Sequence, residues 1–164
     1  MENLRRIEGE EMNIVQKDYP WPHGFSGRNS TDYIIIHHTA GPQMQDVDDI
    51  FQEHCNLGWN GIGYHRVIKG DGTTVQGRPD WVVGAHAQGL NYCSVGVSLE
   101  GNFEGVDIPT EAQIQALKDN IADLKGKYPN AKVIGHRDVA EIIDNPQVAT
   151  ACPGETLYEM LPKL

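Results

Sequence analysis

The stretch IIIHHTAG, residues 34–41, decides the fold class because it joins a buried strand to chemically reactive side chains. A run of β-branched residues closed by Gly41 and Pro42 is typical of a buried strand. In an open α/β sheet, ligands bind beyond the carboxyl ends of the strands. His37 and His38 are therefore predicted to lie at the mouth of a strand, where a functional site is expected.

The composition is that of one globular domain. The chain has 164 residues, of which 39% are hydrophobic and 22% are charged, and no charge run or Ser/Pro-rich linker divides it. No segment approaches the roughly 18 consecutive apolar residues of a membrane span. The formal net charge of -10 disfavours phosphate backbones, which are held by clustered Lys and Arg. We therefore expect a protein that binds neither nucleic acid nor a membrane. We also expect a monomer, although composition does not determine the oligomeric state.

The first 31 residues differ from the rest of the chain. They are polar, contain Pro20 and Pro22, and show neither helical nor strand periodicity, so residues 1–31 are interpreted as an ordered or semi-ordered arm before a domain at 32–164. Early arginines are not followed by an apolar segment, and we predict no secretory signal peptide. The chain has three cysteines, an odd number that indicates no disulfide framework.

The periodicity after the arm predicts a mixed sheet covered by helices. The expected elements are the strand ending at the histidine pair, a helix in QDVDDIFQEHCNLG (45–58), a hairpin at about 62–78, a strand at 94–101, a helix from the capping box at Thr110 to Pro129, a short strand in AKVIGHRDV (131–139) that ends in a histidine, and a final helix with Pro153 near its first turn. This order predicts the α/β class, with a mixed central β-sheet in a single domain.

Three of the residue types that zinc favours stand at the ends of these elements. His37 closes the first strand, His136 closes the last, and Cys152 leads the final helix. Two imidazoles and a thiolate with a fourth position left to water make a catalytic zinc site. Each residue has a simpler interpretation, as a packed or surface histidine or as a small buried cysteine. The spacing alone leaves these alternatives open, because the residues are far apart and lack a local signature.

Six segments in register resemble one enzyme family. They are IIIHHTAG (34–41), GIGYHRVIKGDGT (61–73), GAHAQGLN (84–91), SVGVSLEGN (94–102), GHRDV (135–139) and ACPG (151–154). Together they resemble the zinc-dependent N-acetylmuramoyl-L-alanine amidases shared by phage endolysins, bacterial autolysins and animal peptidoglycan recognition proteins. The resemblance covers about residues 32–164. It implies the amidase fold, Zn²⁺ as cofactor, bacterial peptidoglycan as substrate, and hydrolysis of the amide between N-acetylmuramic acid and L-alanine.

The resemblance also implies roles for individual residues. It implies that His37, His136 and Cys152 bind zinc and that Tyr64 is catalytic. Relatives that only recognise peptidoglycan typically have serine at the position of Cys152, which favours catalysis here. Thr150 is a second catalytic candidate that could orient water or substrate, with a local backbone hydrogen bond as its alternative.

Other polar residues in these segments have two interpretations each. His65, Arg78, His86 and Asn91 match segments that line the substrate groove of the family, and each could instead have a surface or turn role. His38 points to the opposite strand face from His37 and is expected to be a core or supporting imidazole. Glu100 is interpreted as a solvated or structural carboxylate, and the general base stays unassigned.

The biological role has alternatives as well. A non-catalytic peptidoglycan-binding module on the same scaffold and a zinc-stabilised interaction domain are the rival functions. For the amidase, the expected setting is a phage endolysin made in the host cytoplasm. The alternatives are a non-classically exported autolysin and a recycling enzyme.

Overall fold

The computed structural model describes residues 12–21 and 23–164. Five strands form one sheet: β1 (Tyr33–His38), β2 (Arg66–Ile68), β3 (Thr74–Gln76), β4 (Ser94–Leu99) and β5 (Lys132–Gly135). The strand order is β3-β2-β4-β1-β5. β1 pairs in parallel with β4 and β5, β2 pairs in parallel with β4, and only β2 and β3 are antiparallel. The sheet is mixed, which confirms the predicted α/β class.

Within the described residues, four α-helices accompany the sheet: α1 (Val47–Asn56), α2 (Glu111–Lys127), α3 (Val139–Ile142) and α4 (Glu155–Met160). The capping box that opens α2 is confirmed, because Thr110 Oγ1 accepts the Gln113 amide at 3.0 Å and Gln113 Oε1 accepts the Thr110 amide at 3.1 Å. Nowhere in the described ranges does a helix have both the length and the apolar character of a membrane span.

Both faces of β1 are buried, which accounts for its three isoleucines. Ile34 and Ile36 pack in one cluster with residues of β4 and α2, such as Val97 and Leu117. Ile35 points the other way and packs with Val139 and neighbours from the segment before β4. All three isoleucines are fully buried, so β1 contributes to the hydrophobic core on both faces of the sheet.

One predicted boundary, at the end of the last strand, is wrong. β5 ends at Gly135, and His136 begins a 3-10 helix instead of closing the strand. The Asp138 carboxylate accepts the Gly135 amide at 3.0 Å and turns the chain out of the sheet at that point. The final helix begins at Glu155, after Gly154 with a φ of 89°, so Pro153 lies just before its first turn.

The described part of the arm packs against the domain. Val15 pairs with Val75 of β3, and its amide donates to the Thr74 carbonyl at 2.9 Å. The Tyr19 ring stacks on Phe51 of α1 with centroids 4.3 Å apart. The arm therefore extends one edge of the sheet and covers α1.

A buried ion-pair network fastens α2 to β2. The side chain of Arg66 is fully buried, and its Nη2 lies 2.6 Å from Asp80 Oδ2 and 2.8 Å from Asp123 Oδ2. Burial alone would raise the pKa of Asp80, but the hydrogen bond and charge of Arg66 hold that pKa well below its usual range. Lys127 reaches the same two acids, at 3.1 Å and 3.8 Å, with a side chain that is 49% exposed.

Replacing the buried cation should cost far more than replacing the exposed one. Arg66→Leu leaves two carboxylates facing each other without their buried partner, and we expect it to lower the free energy of unfolding by about 3–5 kcal/mol. Lys127→Leu removes a solvent-screened partner of the same acids and should cost at most about 1 kcal/mol. Urea unfolding at pH 7 measures the free energy of unfolding of both variants. Equal losses of stability would contradict the conclusion that the buried Arg66 contributes most to this network.

Candidate active site

Three residues from strand ends and a loop converge at the carboxyl ends of β1 and β5. β1 and β5 are parallel neighbours, so His37 and His136 leave the sheet on the same side. Cys152 arrives from the loop before α4. One potential ligand atom from each residue lies within 4.8 Å of the others, and His37 Nδ1 is 3.7 Å from Cys152 Sγ. The predicted cluster of two imidazoles and one thiol is thus brought together.

The cluster fits a zinc ion in both chemistry and spacing. Zinc binds imidazole at about 2.0–2.1 Å and thiolate at about 2.3 Å, which in a tetrahedron sets nitrogen and sulfur about 3.5 Å apart. The observed separation of 3.7 Å matches this value. The three residues also line one side of a cavity of about 280 Å³, whose other walls include Tyr64, Trp59 and Thr150. A fourth ligand position would therefore face open space.

The two imidazoles are neutral near pH 7. Burial, reinforced by neighbouring imidazoles, holds the pKa of His37 well below its usual range. Burial also lowers the pKa of His136, to about 4. Neutral imidazole is the form that binds a metal ion, so both rings have lone pairs available for a cation.

Cys152 is a partly buried thiol. It lies three residues before Glu155, the first residue of α4. Burial raises the pKa of Cys152 to about 12, and the backbone amide of His38, 3.4 Å from Sγ, opposes that rise. A cation entering the site must therefore displace the thiol proton.

Tyr64 and Thr150 flank the cluster. The Tyr64 ring centroid lies 5.2 Å from that of His37. Burial, together with the nearby Cys152 sulfur, raises the pKa of Tyr64, so its hydroxyl stays protonated and can donate a hydrogen bond. Thr150 lines the same cavity, while its Oγ1 accepts the Cys152 amide at 3.2 Å. The local backbone role predicted as the alternative for Thr150 is therefore present.

A second cavity of about 430 Å³ continues from the first and shares Trp59, His86 and His136 with it. Trp59 is 42% exposed and packs against His54 with ring centroids 4.7 Å apart. Sequence reasoning missed Trp59, although an aromatic residue directly after a helix-ending glycine offered a signal. The two cavities form a continuous groove that leads to the cluster.

The four predicted substrate-binding residues separate into two pairs. His86 lines both cavities and Asn91 lines the second, where its Oδ1 accepts the His86 amide at 2.9 Å. His65 is fully buried, accepting the Gly96 amide on Nδ1 and bonding the Val82 carbonyl through Nε2. Arg78 is 7% exposed and donates to backbone carbonyls, including that of Ile62 at 2.9 Å. His65 and Arg78 thus brace the backbone behind the groove.

His38 and Glu100 lie outside the cluster. His38 Nδ1 accepts the Phe103 amide at 3.1 Å on the opposite strand face, which confirms its expected supporting role. Glu100 is fully buried and pairs with Lys69 Nζ at 3.0 Å, while burial raises the pKa of the carboxyl group. The solvated alternative for Glu100 is wrong, because the ion pair and the buried position make it structural.

The fold and the site together are those of an enzyme that can hold a divalent cation beside a substrate groove. Residues 27–155 match the profile of the N-acetylmuramoyl-L-alanine amidase family. The chain therefore belongs to the N-acetylmuramoyl-L-alanine amidase family, as predicted, and it is an enzyme of that type.

Individual relatives agree with this assignment. The endolysin of Escherichia phage T7 is 40% identical over 125 residues, which cover 71% of this chain and 81% of that protein. Peptidoglycan-recognition protein SC2 of Drosophila melanogaster is 34% identical over 143 residues, covering 79% of this chain and 72% of that protein. The solved structure of the amidase LysC from Clostridium intestinale URNW superimposes with a TM-score of 0.82 at 33% identity, covering 93% and 97% of the two chains. Fold and enzyme class are both confirmed.

The lowered pKa of His65 predicts that acid destabilises the protein at pH values above those at which carboxylates titrate. Burial lowers the pKa of His65 to about 4 in the folded protein, against about 6.5 in an unfolded chain. Between these values the unfolded state binds a proton that the folded state does not, so stability falls as the pH drops from about 6.5 to 4, by up to about 1.4 kcal/mol per pH unit. Urea unfolding with a chelator present measures how the free energy of unfolding changes with pH. In His65→Gln we expect this pH dependence to be weaker, by the equivalent of about one bound proton. An unchanged slope would contradict this assignment.

Proposed function

We propose that this chain is a zinc-dependent amidase that cleaves the amide joining the lactyl group of N-acetylmuramic acid to the L-alanine of the peptidoglycan stem peptide. The observation that carries this proposal is the convergence of His37, His136 and Cys152 within 4.8 Å at the end of an open groove. Membership of the amidase family supports the choice of substrate.

The three cluster residues would supply two kinds of ligand to the zinc ion. His37 and His136 offer neutral imidazoles, and Cys152 offers a thiolate once its proton has been displaced. Zinc bound there would polarise the scissile carbonyl and lower the pKa of a water molecule toward about 7. The open cavity on the side of Tyr64 leaves room for the amide to approach.

Tyr64 would stabilise the charge that develops on the substrate. Its protonated hydroxyl borders the cavity and can donate a hydrogen bond to the carbonyl oxygen as that oxygen becomes negative. Thr150, which lines the same cavity, would orient water or substrate while its Oγ1 accepts the Cys152 amide. His86 and Asn91, which line the groove, are the proposed contacts to the glycan or the stem peptide.

A non-catalytic peptidoglycan-binding module is the second candidate, because recognition proteins are among the relatives. The same groove would then bind cell wall without turnover. Cys152 favours the enzyme, since it completes a ligand set that leaves a position open. The amidase and the binding module differ in released product, so product analysis separates them.

The proposed setting is bacterial cell-wall lysis by a phage endolysin. Endolysins of Klebsiella phage KP32 and Escherichia phage T7 are 39% and 40% identical to this chain. Such an enzyme would be made in the host cytoplasm and would act on the wall. A bacterial autolysin or a recycling enzyme would use the same chemistry.

Purified muropeptides provide the direct test. Incubation with the wild-type protein should release free stem peptides and intact glycan, identified by mass spectrometry, because only the lactyl amide is cut. A chelator should abolish release, added Zn²⁺ should restore it, and Cys152→Ser should lower it strongly through weaker metal binding. Sedimentation with cell walls without any released peptide would instead establish the binding module.

Tyr64→Phe isolates the hydroxyl group. Removing one oxyanion donor typically lowers kcat by about 10²–10³, and we expect this loss with zinc content unchanged. Tyr92→Phe is the matched control, because that tyrosine is 64% exposed and lies outside both cavities. Full activity in Tyr64→Phe would remove Tyr64 from the mechanism.

A further inference from the structure

We propose that His86 is a positioning residue: with Ser94 it fixes the proton on His37 so that the metal-facing nitrogen stays free. The inference rests on the proposed function, because it concerns the same metal ligand. It assigns His86 a role behind the ligand, in addition to lining the groove.

A continuous chain of hydrogen bonds runs back from the cluster. His37 Nε2 lies 2.8 Å from His86 Nδ1. On the far side of the ring, His86 Nε2 lies 3.1 Å from Ser94 Oγ, and Ser94 Oγ donates to the Leu90 carbonyl at 2.7 Å. We call these four groups, from His37 to the Leu90 carbonyl, the histidine relay. Ser94 is fully buried and His86 is 8% exposed, so protein groups supply the partners.

The last acceptor sets the direction of the whole relay. A carbonyl oxygen can only accept, so the single hydroxyl proton of Ser94 points to Leu90. Ser94 Oγ must then accept the N–H of His86 Nε2. A neutral imidazole carries one N–H, which leaves His86 Nδ1 as an acceptor.

The same reasoning fixes the proton on the metal ligand. Because His86 Nδ1 accepts, His37 must carry its proton on Nε2 and donate it across the 2.8 Å contact. His37 Nδ1 is then unprotonated, and this atom faces Cys152 Sγ at 3.7 Å. The relay thus prepares the lone pair that a metal ion needs before any ion arrives.

Packing around His86 holds its ring in this position. A Cβ atom on Gly96 would lie 2.6 Å from His86 Nδ1, and one on Gly84 would lie 2.7 Å from His86 Cδ2. Both distances are shorter than carbon atoms tolerate, so the ring occupies space that only glycine leaves. The side-chain Oδ1 of Asn91 also accepts the backbone amide of His86 at 2.9 Å. The ring therefore has little freedom to turn its nitrogens away from the relay.

The relay has a measurable consequence for metal affinity. Removing an outer partner of a ligating histidine typically weakens metal binding by about 10–100-fold. We expect His86→Ala to raise the Kd for Zn²⁺ by this factor. Ser94→Ala should raise it by a smaller factor, because the bond between His37 and His86 remains while its direction is no longer fixed.

Two measurements test the inference on the intact chain. Long-range ¹H–¹⁵N NMR of the zinc-free protein should show the proton on Nε2 of both His37 and His86. Competition with a chromophoric chelator should give the zinc affinities of wild type, His86→Ala and Ser94→Ala. Thr74→Val is the control, because Thr74 also carries a buried hydroxyl, bonded to Asn120 at 2.9 Å, but lies outside the relay. Its zinc Kd should stay within about twofold of wild type.

The outcomes separate the relay from the enzyme assignment. Tight zinc binding by wild type with unchanged Kd in folded His86→Ala and Ser94→Ala would overturn the relay and leave the proposed function standing. A proton on His37 Nδ1 in the zinc-free protein would overturn it as well. Absence of zinc binding in wild type would overturn the proposed function and the relay together. If His86→Ala fails to fold, Ser94→Ala and the NMR measurement decide.

Discussion

The parallel pairing of β1 with β5 is the constraint on which the site depends. In this register Ile36 of β1 lies opposite Gly135 of β5, and the residue that follows each of them is a histidine of the cluster. A slip of one residue would turn His37 to the other face of the sheet. The Arg137 amide donates to the Cys152 carbonyl at 2.8 Å, which attaches the third member of the cluster to the same edge. Sheet register thus sets the positions of the two histidines, and this hydrogen bond places the cysteine beside them.

Several buried side chains behind the groove are polar, and their hydrogen bonds have definite directions. His65 bonds two backbone groups behind the groove, and Arg78 donates to three backbone carbonyls. Buried polar groups are costly when unpaired, so such networks favour one arrangement of the surrounding loops. The groove therefore has walls fixed by hydrogen bonds, although the connecting segments contain little regular secondary structure.

Local patterns predicted the elements well, because β1 and α2 have strong periodicity and a capping box. The site was harder, since His37 and Cys152 are distant in sequence. Their positions at the ends of predicted elements left simpler interpretations open, and the family resemblance was needed to join them. The buried positions of His65 and Arg78 could not be predicted, because a polar residue in a sequence does not reveal which backbone carbonyls will face it. Trp59 was missed for a related reason: its importance arises from the groove beside it.

The adjacent histidines of the opening motif show how one short stretch performs two tasks. Successive side chains on a strand point to opposite faces, so His37 faces the groove while His38 anchors the Phe103 amide on the other side. Yet both residues contact the same sulfur, His37 through Nδ1 and His38 through its backbone amide. An amide that donates to sulfur favours the thiolate over the thiol. The backbone amide of His38 therefore supports the ligand set, whereas its side chain stabilises the fold through the Phe103 amide.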